Sequence, residues 1–101
     1  MADVRRSPQA ETDLETILEE LQQKAPALAE RVVVAFHEKS QALARFPEMG
    51  RIRPEIAPAL RSTLVFAYVI FYRVDGDVVQ ILRILHGKRD LQRIMREETE
   101  E

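Results

Sequence analysis

Apolar residues recur along this chain in two rhythms, and the change from one to the other falls near residue 60. Ala10, Leu14, Ile17, Leu18 and Leu21 stand at helical spacing, with acidic residues on the opposite side. Ser7-Pro8 precedes them as a cap followed by proline at the first helical position, where its missing N–H costs nothing. Pro26 disfavours helical geometry at Ala25 and ends this helix, and it can open the next one. Leu28, Val32, Ala35, Phe36, Ala42, Leu43 and Phe46 then mark one apolar stripe over about five turns. Two helices with so short a link pack as an antiparallel hairpin.

Phe46-Pro47-Glu48-Met49-Gly50 stops the second helix, and residues 51–58, with two prolines and no period, read as an extended connector. From there the rhythm is that of strands: Leu60 to Leu64, Ala67 to Val74 and Val78 to His86. Asp75-Gly76-Asp77 is a hairpin signal. A two-residue and a three-residue loop there pair opposite sets of side chains, so the sequence leaves open which face Arg83 occupies. Residues 2–6 are weakly strand-like, Gly87 interrupts the last strand, and Leu91, Ile94 and Met95 suggest a short closing helix. The predicted fold is α+β with two layers: a helical hairpin packed on a small antiparallel sheet, in the order β-α-α-β-β-β with a short C-terminal helix.

A chain of 101 residues holds one core, taken as a single domain over residues 1–96 followed by an acidic frayed tail over 97–101. The absence of cysteine excludes disulfides, thiolate chemistry and Cys-based zinc sites. The N-terminus has no apolar signal-peptide core, and the longest apolar run, Leu64 to Tyr72, is far short of a bilayer span. The expectation is a soluble cytoplasmic protein without membrane, metal or cofactor. Net charge is −2, yet outside the tail 15 basic residues face 13 acidic ones, a balance of +2. That is a modest basic surface, below that of a dedicated nucleic-acid binder.

No phosphate loop, HExxH or nucleophile elbow is present. His37, Ser40, Met49 and Met95 read as ordinary structural residues. The arginines say more: Arg51, Arg53, Arg61, Arg73 and Arg83 lie in the connector and strands around one expected sheet surface. Guanidinium groups suit phosphate through bidentate hydrogen bonds, and His86 could serve such a group as acid or base. The same arginines could equally pair with Asp75, Asp77 or Asp90, or with an acidic protein partner.

Segments in order along the chain resemble one family. Ala10-Glu11-Thr12-Asp13-Leu14-Glu15-Thr16-Ile17 looks like the opening helix of ParE-type toxins, and Leu43 to Arg51 resembles their "L…P..GR" helix exit. Leu60-Arg61-Ser62, Tyr68 to Arg73, and Ile81 to Asp90 with its "R.LHG.RD" ending look like the three strands. Over residues 8–95 the chain thus resembles the RelE/ParE superfamily, most closely its ParE branch. The resemblance implies a type II toxin–antitoxin toxin, silenced by a cognate ParD-like antitoxin and directed at DNA gyrase. The target-binding residues would then be Arg61, Arg83, His86, Lys88 and Arg89, with Arg51 and Arg53 contacting phosphate or partner. The RelE-like alternative is a ribosome-dependent mRNA endonuclease using Arg61, Arg83 and His86; a third reading is an antitoxin-binding module without toxicity. Gly87 and Lys88 follow His86 where several nucleases carry an aromatic residue, and the connector has no lysine. Those departures favour the ParE-like reading.

Overall fold

A computed structural model describes residues 1–87. Lys88, Arg89, the expected closing helix and the acidic tail lie outside the described residues. The elements are β1 (Asp3–Arg6), α1 (Pro8–Lys24), α2 (Pro26–Arg45), β2 (Arg51–Ile52), β3 (Arg61–Val65), β4 (Tyr68–Asp75) and β5 (Val78–His86). They form two layers, the helical hairpin over a five-stranded sheet in the order β1-β5-β4-β3-β2.

Each helix boundary has a local cause. Ser7 Oγ accepts the N–H of Ala10 at 3.0 Å and so caps α1, with Pro8 in the first turn. Ala25 closes α1 and opens α2 at once, its N–H still donating to Leu21 O at 2.7 Å. Phe46 ends α2 ahead of Pro47. It was expected on the apolar stripe, but as a cap residue it leaves the helical face and its side chain is 64% exposed.

The α+β architecture is the one the periodicities predict, with differences of detail. β1 runs parallel to β5, so the sheet is mixed rather than purely antiparallel. The connector contributes the two-residue strand β2 at one edge. Asp75 pairs with Val78, so the last hairpin has a two-residue loop, Gly76-Asp77, and Gly76 takes the positive φ (59°) such a loop requires. Further along, Phe71 pairs with Arg83 but Tyr72 with Ile81, which leaves Leu82 as the extra residue of a β-bulge. The bulge reverses the alternation on β5. Val79, Ile81 and Ile84 all join the main core, whereas Leu85 and the flanking Leu82 belong to a second one.

That main core lies between the layers, with Ala10 and Ile17 of α1 and Val32, Phe36 and Leu43 of α2 against Val65, Ile70, Tyr72, Val79, Ile81 and Ile84. The connector covers much of the opposite sheet face, burying Ile56, Ala57 and Leu60 against Val69, Phe71 and Leu85.

Tyr72 ties the helix exit to the sheet. Its hydroxyl accepts the N–H of Gly50 at 2.8 Å and donates to Pro47 O at 2.8 Å. A Cβ on residue 50 would lie 2.5 Å from that hydroxyl, so the approach requires glycine. Burial is the main influence on the phenol and pushes it above the ordinary tyrosine value, outweighing the Gly50 N–H and the Arg61 charge, both of which favour ionisation. Tyr72→Phe removes the hydroxyl and strands both backbone groups. The expected cost is about 2 kcal/mol, a fall in Tm of about 10 °C in thermal denaturation. Because the folded state holds the proton more tightly, the Tyr72 contribution is complete below about pH 10 and is lost as pH rises through the raised value. Alkaline stability profiles of the variant should lack that component; identical slopes would reject the assignment.

Candidate functional site

The arginines do not converge on one surface. Arg61 pairs across the strands with Tyr72, so it lies on the helix-facing side. Its Nη1 donates to Glu48 O at 3.0 Å and to Gly50 O at 2.8 Å, bracing the same helix exit that Tyr72 holds. Arg53 donates to Ser62 Oγ at 3.2 Å, and its Nε meets Glu55 Oε2 at 2.6 Å. That hydrogen bond is the main reason the Glu55 carboxyl sits below the usual carboxylate range. Arg73 Nε donates to Pro58 O at 3.3 Å. Three guanidinium groups are thereby spent on the connector and the turn that precedes it, segments rich in proline and nearly without ladder hydrogen bonds of their own. Arg51 is exposed on β2.

Arg83 is bound to the helical layer. Its Nε donates to Asp13 Oδ2 at 2.8 Å and its Nη2 to Asp13 Oδ1 at 3.1 Å, and both side chains are only about 15% exposed. The same carboxylate accepts the N–H of Ile84 at 2.9 Å. The pairings foreseen for these arginines were with Asp75, Asp77 and Asp90, and Asp13 was missed because helix and strand meet only after folding. His86 is half-buried at the far end of β5, its ring edge-on to Tyr68 at 5.6 Å between centroids. β4 separates β3 from β5, which places the Arg61 and Arg83 backbones about 10 Å apart. Arg61 and Arg83 are thus held by different partners, and His86 packs against Tyr68. His37 is exposed on α2, and Ser40 is half-buried beside it.

A different feature stands out: a groove between α2 and the edge of the sheet. Past Ser62, β3 has a strand neighbour only on its β4 side. Three shallow depressions run together along this edge. The first is lined by Glu30, Arg31, Val34, Ala35, Glu38 and Phe66. It shares Ala35, Glu38 and Phe66 with a second, which adds Lys39, Ala42, Leu64 and Val65. Lys39 and Leu64 lead into a third, where Met49, Arg51 and Arg53 stand. Leu64 is 62% and Phe66 48% exposed, with Val34 and Met49 also presented to solvent. Exposed apolar groups gathered in one groove mark an interaction surface rather than scattered surface hydrophobics. Among the described residues no group of three His, Asp or Glu stands close enough to hold a metal, and no helix is long and apolar enough to cross a membrane.

Comparison with known proteins points one way. A family model described as "ParE toxin of type II toxin-antitoxin system, parDE" matches residues 4–91. Toxin ParE3 of Caulobacter vibrioides is 39% identical over 67 residues, 66% of this chain and 63% of that protein, so the match spans a little under two thirds of the relative. Toxin RelE2 of the same organism is 34% identical over 90 residues, 88% of this chain and 99% of that protein. Among solved structures, the chromosomal ParDE toxin–antitoxin system from P. aeruginosa superposes with a TM-score of 0.73 at 25% identity, covering 87% of this chain and 98% of its counterpart. The toxin–antitoxin complex RelBE2 from Mycobacterium tuberculosis gives 0.58 at 29% identity, with coverage of 84% and 96%.

The Asp13–Arg83 geometry makes a stability prediction. Asp13→Ala leaves a guanidinium and the Ile84 N–H without their carboxylate, at a cost of about 3 kcal/mol. In a double-mutant cycle with Arg83→Ala, urea denaturation should return a coupling of about 1 kcal/mol or more. Strictly additive losses would show that the pair contributes no mutual stabilisation.

Proposed function

The chain belongs to the ParE family of type II toxin–antitoxin toxins, and we propose that it acts in the cytoplasm as a non-enzymatic inhibitor of DNA gyrase, held silent by a ParD-like antitoxin. The observation that carries the non-enzymatic reading is the commitment of Arg61 and Arg83. A nuclease needs positive groups and a proton carrier turned toward one phosphate. Here Arg61 serves backbone carbonyls on the helix side, while Arg83 serves Asp13. Antitoxin control is supported by the kinship with toxins whose solved relatives are toxin–antitoxin assemblies and by the apolar groove, which suits a peptide segment. For the target-binding surface we propose the C-terminal end of β5 and its continuation, with His86, Lys88 and Arg89 as contacts and Arg61 and Arg83 as positioning residues.

Purified toxin should abolish gyrase supercoiling at micromolar excess, and adding antitoxin should restore it. Lys88→Glu combined with Arg89→Glu should raise the inhibitory concentration at least tenfold without changing Tm. Full gyrase activity at micromolar toxin, together with new mRNA 3′ ends at ribosomal A-site codons in a translation extract, would replace this reading with the endonuclease one.

A further inference from the structure

The sheet's two tight hairpins meet the same backbone demand with different residues. Both have two-residue loops, Gly76-Asp77 between Asp75 and Val78, and Phe66-Ala67 between Val65 and Tyr68. In both, the first loop residue has a positive φ, 59° at Gly76 and 53° at Phe66. Glycine adopts this conformation without steric penalty, whereas a bulky side chain there is a genuine outlier. Strain by itself assigns nothing, since Ala59 in the connector is also left-handed (φ 60°). Ala59, however, is small and lies beside the fully buried Leu60. Phe66 is large, and its ring is not consumed by the core: it stays 48% exposed.

The ring's surroundings explain its retention. The Arg31 guanidinium carbon stands 5.6 Å from its centroid, close enough for a cation–π contact that orients the ring. Phe66 lines two of the three joined depressions, with Val34, Ala35 and Leu64 beside it. A half-exposed aromatic held on a rigid turn is the form of an interface anchor, since little side-chain freedom remains to be lost on binding. The charge along the groove is directional. At the β2 end Lys39, Arg51 and Arg53 line it without any acid, and among the described residues Lys39 and Arg51 form no ion pair. At the α2 end Glu30 and Glu38 outnumber Arg31.

We propose that Phe66 is the anchor of the antitoxin-docking groove, retained at a glycine-type position because its ring is needed by the partner. The occupant is a segment of the antitoxin that places an aliphatic or aromatic side chain on Phe66 and Leu64 and a carboxylate beside Lys39 and Arg51. This inference rests on antitoxin control of the chain but names a residue, a direction and a chemistry.

The test uses Phe66→Asn, because asparagine tolerates the left-handed conformation and leaves the turn intact. Its circular dichroism spectrum should match that of the unsubstituted chain. Calorimetric titration with the purified product of the adjacent ParD-like reading frame should show at least tenfold weaker binding for this variant. Phe66→Tyr should bind within a few-fold of the original, and Lys39→Glu, which touches neither turn nor core, should weaken binding at least fivefold. In cells, Phe66→Asn should still arrest growth but escape rescue by the antitoxin. Undiminished antitoxin binding by Phe66→Asn overturns the anchor while leaving antitoxin control in place; failure of the unsubstituted chain to bind antitoxin overturns both. Loss of growth arrest with antitoxin binding retained would assign Phe66 to the target instead. A dimer in sedimentation that becomes a monomer in Phe66→Asn would assign the groove to a second copy.

Discussion

The first turns of α1 are fastened to the bulge in β5, and the two-layer arrangement depends on that fastening. β1 pairs with β5 only as far as Ile81, next to the extra residue Leu82 that bulges against β4. The backbone groups exposed there would be costly to leave unpaired at a partly buried edge. Each is met by the helix start. Ser7 N–H donates to Ile81 O and Ser7 Oγ to Leu82 O, both at 2.8 Å, while Asp13 accepts from Ile84. One serine thus caps a helix and completes a strand edge. With the bulge secured, Ile81 and Ile84 can both face the helices, and Leu85 can face the other way.

The second core arises from that division of β5. A connector with two prolines cannot enter the sheet through most of its length, so it crosses the outer face and buries Ile56, Ala57 and Leu60. Its own N–H groups meet the carbonyls of Arg53 and Ala57, and Arg73 meets that of Pro58. Arg61 reaches backbone oxygens of the helix-exit turn, Arg73 one of the connector, and Arg53 bonds Glu55 within the connector and Ser62 on β3. Arginine suits this task for the reason it suits phosphate, a rigid and permanently charged fork of donors. The residues that most suggested an anion site are therefore largely engaged in holding the scaffold. Among the described residues no buried side-chain polar atom lacks a partner, so the arrangement closes on itself.

What the scaffold leaves available is apolar and linear. Helix α2 and the end of β3 border a groove whose walls are Ala35, Ala42, Leu64 and Phe66, with opposite charge preferences at its two ends. A strand edge with one neighbour and a line of exposed apolar groups is a hazard in a free monomer. A partner segment laid along that edge would cover it. Family membership and groove thus agree on a molecule organised for protein–protein recognition.

Local order was legible in the sequence. The Ser7-Pro8 start, the Pro26 junction and the Gly76 turn act through one residue's φ angle or one missing N–H, and such effects travel only a few residues along the chain. The helical stripe was equally plain up to Phe46, where the cap geometry replaced the period. The Phe66-Ala67 hairpin was not legible, because neither residue advertises a turn. Nor was the bulge at Leu82: its partners Ser7 and Asp13 lie some 70 residues earlier, and an alternation count along β5 alone cannot register an extra residue. The arginines divided the same way. Their chemistry could be read from the sequence, but a guanidinium bonds whatever acceptor the fold delivers, and only packing α1 on β5 delivered Asp13 to Arg83.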